Sequence, residues 1–185
     1  MNRVEKLREE FGDIHPGAKT KVKDFLEAAV QGYIRNAPFA VLATSNAAGD
    51  CDASPKGGLP GFIKIIDDRS LLIPDNGGNR LFQSYQNVDS NPKAALVFMI
   101  PGIEVTARVN GRARFVERQE LEDLNIEAEV HNADDNSMIV QGLMLNVDEA
   151  YFHCPRAFRF AELWNTDTIA KNADRSFKEI VANST

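Results

Sequence analysis

The chain has 185 residues, 43% of them hydrophobic and 26% charged, a balance that suits one compact domain with a substantial core. Its formal net charge of -6 argues against the basic surface that nucleic acid or an anionic membrane recruits. The densely charged opening MNRVEKLREEFG, a longest apolar run of only 94–100 and two cysteines exclude a signal-peptide core, a spanning helix and a disulfide framework. A cytoplasmic protein without nucleic-acid or membrane partners is the expectation.

Val22, Phe25, Leu26, Ala29, Val30, Tyr33 and Ile34 recur at helical spacing, which predicts an amphipathic helix over 18–35. After Pro38 the texture changes to short β-type runs at 39–45, 51–55, 61–66, 70–73, 93–100 and 104–117, divided by Gly, Asn, Asp and Pro clusters. Such spacing reads as an antiparallel barrel or sandwich occupying 38–153, with another apolar run near 137–153 and a tail over 154–185. In EVTARVNGRARFV the odd positions from Val105 to Phe115 are apolar or small and the even ones are polar. A two-residue hairpin at Asn110-Gly111 would pair Val109 with Arg112 and mix core with charge. The segment therefore reads as one long strand bent at the glycine.

Between the runs, Leu81, Phe82, Tyr85 and Val88 predict a short helix from near Asn79 to before Pro92. Arg80, Ser84 and Asn87 stand at i, i+4 and i+7 and form a polar stripe behind two glycines. A phosphate dianion needs charge-assisted donors, free backbone N–H groups and a helix start. The chain offers that set twice: Ser54, Lys56 and Gly57 in the bend SPKGG, and Gly77-Gly78-Asn79-Arg80 with Ser84. Either cluster alone is an ordinary turn or helix entry; both in an acidic chain point to one phosphate.

PFAVLATSNAAGDCDASPKGG, LLIPDNGGNRLFQSYQNV, SNPKAALVFMIPG, TARVNGRARFV and HCPRAFRFAELW stand in the order found in the FMN-binding split-barrel flavoproteins of the pyridoxamine 5'-phosphate oxidase superfamily, which the chain resembles over about 20–165. More narrowly it looks like that superfamily's FMN-dependent oxidase-type flavoproteins. The resemblance implies a mainly β fold with flanking helices, a six-stranded antiparallel split barrel, and a homodimer with FMN at the subunit interface. It implies that Ser54, Lys56 and Gly57 meet the flavin phosphate or ribityl chain with Asn79, Arg80, Ser84 and Asn87. Arg108 would approach the cofactor from the bent strand, and Arg156 and Trp164 across the interface. The C-terminal segment departs from the substrate clamp of authentic pyridoxamine phosphate oxidases, so vitamin B6 is not the expected substrate.

A flavin performs the redox step itself, which suits a sequence without a hydrolytic triad, metal-ligand spacing or Walker loop. The expected function is an FMN-dependent oxidoreductase acting on a small molecule. The alternatives are a non-catalytic flavin or haem carrier and a reductase using the deazaflavin F420. His153-Cys154 lacks further ligands at metal spacing, Asp67-Asp68 and Asp134-Asp135 read as turn starters, and a Schiff base of Lys56 with an aldehyde such as pyridoxal phosphate finds no recognisable acidic partner for the pyridine ring.

Overall fold

The computed structural model describes residues 2–76, 81–127, 129–135 and 137–182. In chain order the elements are α1 (Arg3–Phe11), α2 (Pro16–Thr20), α3 (Ala28–Asn36), β1 (Phe39–Ser45), β2 (Cys51–Gly57), β3 (Lys64–Asp67) and β4 (Ser70–Asn76). They continue with α4 (Gln83–Ser90), β5 (Lys93–Met99), β6 (Thr106–Val116), α5 (Arg118–Asp123), β7 (Ile139–His153), α6 (Arg156–Phe160), α7 (Thr166–Ala173) and α8 (Phe177–Ala182). No helix among them is long and apolar enough to cross a membrane.

One antiparallel sheet of seven strands runs in the order β2-β1-β5-β6-β7-β4-β3. The expectation of six strands is corrected, because the 15-residue β7 is a full member that pairs with β6 along one edge and with β4 along the other. The two end strands, β2 and β3, do not pair with each other, so the sheet does not close. The core fills its concave side, where Leu42, Leu71, Leu96, Phe98, Val109 and Leu145 are fully buried.

The long-strand reading of 104–117 holds. β6 passes through Asn110-Gly111 with a register shift against β7 at that step. A Cβ on Gly111 would lie 2.0 Å from the Asn146 carbonyl oxygen, so the close approach of the two strands requires glycine here.

The single helix over 18–35 is corrected to α2 and α3 with non-helical backbone between them. Its apolar stripe still reaches the core through Leu26, Val30 and Ile34. The helix is interrupted because the sheet claims the intervening backbone. Lys23 N–H donates to the Ala150 carbonyl at 3.1 Å, the Lys23 carbonyl accepts from Ala150 N–H at 2.7 Å, and Leu26 N–H donates to the Asp68 carbonyl at 2.7 Å. The chain ends differ from the sheet: α1, α6 and α7 contribute no buried residue.

Candidate functional site

Alternation along β2 selects which of its side chains can act. Asp52, Ser54 and Lys56 pair with Thr44, Leu42 and Ala40, whose side chains face the core, whereas Ala53 and Pro55 pair with Ala43 and Val41 on the opposite face. The first set is half-buried and the second exposed. The β-type run expected at 51–55 is therefore an edge strand, and it continues through Gly57, which corrects the bend expected at SPKGG. Gly57 closes the strand opposite Phe39. Gly58 N–H is already spent on the Pro38 carbonyl at 3.0 Å.

The core-facing residues of β2 open into a cavity of about 380 Å³, bounded also by the end of β4 and the start of α4. Ser54, Lys56 and Ser84, from chain segments about thirty residues apart, share its wall with Asp52, Asp75 and Tyr85. The Lys56 ammonium donates to Asp75 Oδ1 at 2.8 Å, and the two side chains are only 17% and 22% exposed. The Ser84 hydroxyl donates to Asp52 Oδ2 at 3.0 Å.

Among the described residues the lining thus carries one cation and two carboxylates. A phosphate finds the right donor chemistry there, but Lys56 and Ser84 are each held by a carboxylate. The residues fit a phosphate-bearing ligand if Lys56 exchanges Asp75 for it.

The helix beside the cavity starts later than predicted. Its first residue is Gln83, and its N-cap, Phe82, has φ 51°, the left-handed region that a bulky side chain rarely adopts. That entry turns Tyr85 inward, where it stacks on Phe115 at 5.6 Å between ring centroids and meets Phe82 edge-on at 6.1 Å. Tyr85 is buried and its hydroxyl has no hydrogen-bond partner. Burial first, and the neighbouring Asp75 carboxylate second, hold its pKa well above the usual phenol range. The carboxylate thus lies within close reach of the hydroxyl, at the margin of hydrogen-bond geometry.

Other predicted residues stand elsewhere. Asn87 is buried and donates to the Thr44 hydroxyl at 3.0 Å, tying α4 to β1, so it is no part of an open polar stripe. Asn79 and Arg80 lie outside the described residues. Arg108 belongs to the opposite face of the sheet, in the row Pro55, Val41, Val97, Arg108, Tyr151. Its guanidinium lies over the Tyr151 ring at 5.6 Å, and its buried Nε has no partner. That face also carries a shallow groove of about 750 Å³ over Ala43, Ala53, Ala95 and Asn110. Arg156 packs over Phe160 at 4.8 Å. Trp164 donates to the Ile103 carbonyl at 3.1 Å and stacks on Phe158. Neither lines the Lys56 cavity.

Sequence reading missed Asp52, Asp75 and Tyr85. The two-residue period of DASPK carried the signal for Asp52. Nothing local marked the other two, since Asp75 comes to Lys56 only through the sheet.

The family model described as Pyridoxamine 5'-phosphate oxidase matches residues 26–154. No curated protein matches the chain. Among solved structures, a variant of HupZ from Group A Streptococcus superposes with a TM-score of 0.52 at 16% identity, covering 69% of this chain and 99% of that one. A candidate pyridoxamine 5'-phosphate oxidase from Lactobacillus delbrueckii superposes with a TM-score of 0.52 at 19% identity, covering 71% and 99%. At such identities the likeness speaks for the fold alone. With the family match extending from α3 through β7, the chain belongs to the pyridoxamine 5'-phosphate oxidase family.

Proposed function

We propose that the chain is an FMN-binding flavoprotein of split-barrel type that serves as an oxidoreductase for a small molecule, in the cytoplasm and as a homodimer. The convergence of Ser54 and Lys56 on β2 with Ser84 on α4 around one cavity carries this reading. Lys56 gives a charge-assisted contact to the phosphate, and Ser54 and Ser84 give hydroxyl donors. Gly57, Asn79 and Arg80 complete the cofactor contacts expected from the sequence resemblance, while Asn87 holds α4 against β1 through Thr44. Bound FMN supplies the electron transfer; the chain's own residues fix its phosphate, orient it and shield it from water.

The other sheet face suits the second copy. Val41, Ala43, Ala95 and Val97 leave it apolar and partly exposed, and Arg108 and Asn110 keep buried polar atoms unpaired there. In this reading Arg108, Arg156 and Trp164 meet the cofactor across the dimer interface. Light scattering tests the dimer: Val97→Asp should shift the particle toward monomer mass, and a wild-type monomer would remove this part.

The absorption spectrum of the purified protein and the mass of the released compound test the cofactor. A flavin spectrum with FMN mass is expected, followed by reduction with NADH or NADPH. A Soret band, a deazaflavin or a protein that ignores added FMN would overturn the reading, and FMN binding without turnover would leave a carrier. Lys56→Ala should weaken FMN about tenfold and spare riboflavin, which has no phosphate. Equal weakening of both would remove Lys56 from the phosphate.

A further inference from the structure

Asp75 sits between a donor it uses and donors it leaves unused. Its carboxylate holds Lys56 at 2.8 Å. The Tyr85 hydroxyl, on a side chain only 7% exposed and lining the same cavity, has no partner in hydrogen-bond geometry among the described residues, although the Asp75 carboxylate already lies close to it. Directly across the β4–β7 ladder from Asp75 stands Gln141, whose buried Nε2 also has none. Buried donors are rarely left without acceptors, because their lost hydration is uncompensated. Two such groups beside one carboxylate mark a place prepared for it.

We propose that Asp75 is a movable counter-ion, which holds Lys56 while no anion is present and passes to the Tyr85 hydroxyl when a ligand phosphate takes the ammonium. The inference rests on the phosphate reading of the cavity. The exchange has a physical motive. With Lys56 shared, phosphate, Asp75 and Asp52 would crowd three anions around one cation among the described residues. Moving Asp75 to a neutral donor separates the charges and satisfies a buried hydroxyl. A neutral ligand does not disturb the ion pair, so Asp75 sets a threshold that only anionic ligands must cross.

Flavin fluorescence titrations of FMN and riboflavin on the full chain, as wild type, Asp75→Asn, Tyr85→Phe and the double variant, test the exchange. Asp75→Asn should tighten FMN about tenfold by releasing Lys56. Tyr85→Phe should weaken FMN several-fold in the wild type and have no effect once Asp75 is Asn, the non-additivity expected of one coupled unit. Riboflavin should be indifferent to all three.

Unchanged or weaker FMN binding by Asp75→Asn, or a Tyr85→Phe effect equal in both backgrounds, would overturn the proposal while leaving FMN as the ligand. If no form binds either flavin, the flavin reading fails, and calorimetry with inorganic pyrophosphate decides the exchange alone. A tighter complex with Asp75→Asn would uphold the exchange, and no gain would end it.

Discussion

On the inner face of β1 and β5, Ala40, Leu42, Leu96 and Phe98 are fully buried, while one position along the same strands Val41, Ala43, Ala95 and Val97 keep contact with water. Both faces are apolar, so hydrophobicity alone does not distinguish them. Coverage does: the inner side packs on α3 and α4, whereas on the outer side the buried cluster of Leu72, Val116 and Met144 under Leu121 of α5 lies on β4, β6 and β7, away from β1 and β5. Their polar groups do not divide in the same way: inner Lys56 and Ser84 are held by Asp75 and Asp52, but among the described residues unpaired buried atoms occur on both faces, on Tyr85 and Gln141 inside and on Arg108 and Asn110 outside. An edge strand can thus present chemistry inward while its neighbours present a bare surface outward.

The sharpest way to break this comparison is to truncate equivalent positions on the two faces. Phe98→Ala should cost about 3–5 kcal/mol in urea denaturation, since a large side chain leaves a cavity in a closed core. Gly111→Ala should cost at least about 2 kcal/mol, because the new methyl group meets the Asn146 carbonyl of the adjoining strand and the sheet must shift. Val97→Ala should cost below about 1 kcal/mol in dilute protein, where the outer face is open. A loss as large as that of Phe98→Ala would mean that this face is tightly covered in solution.

The smallest effect belongs to a pair outside both faces. Arg114 donates to both carboxylate oxygens of Glu120, at 2.9 and 2.6 Å, and this contact holds the Glu120 carboxyl below its usual range. A depressed native pKa stabilises the fold above the unfolded value of about 4.3, and the contribution fades as pH falls through the native one. Water screens the pair, so Glu120→Gln should cost below about 1 kcal/mol at pH 7 and converge with wild type near pH 3. A constant difference across that range in denaturant midpoints would assign the effect to packing.

Much of the sheet was legible locally. The run at 39–45 follows from its β-type residues bounded by turn residues, and the unbroken phase of TARVNGRARFV from side-chain alternation, both properties of a few neighbouring residues. The helix over 18–35 was less legible, because its middle is captured by Ala150 and Asp68, partners more than forty residues away. At the candidate site, the residue types Ser54, Lys56 and Ser84 were readable and their occupancy was not. A lysine in a turn-like string gives no hint that Asp75 neutralises it or that Tyr85 waits unpaired beside it.

The amino-acid string alone determined a mainly β chain, the phase of its strands and two groups of phosphate-type donors, since period and residue chemistry are local. The tertiary structure decided the seventh strand, the open ends of the sheet, the face assigned to Arg108 and the carboxylates set against the donors. Those depend on which distant strands come side by side, and pairing across a sheet is settled by the packing of the whole core.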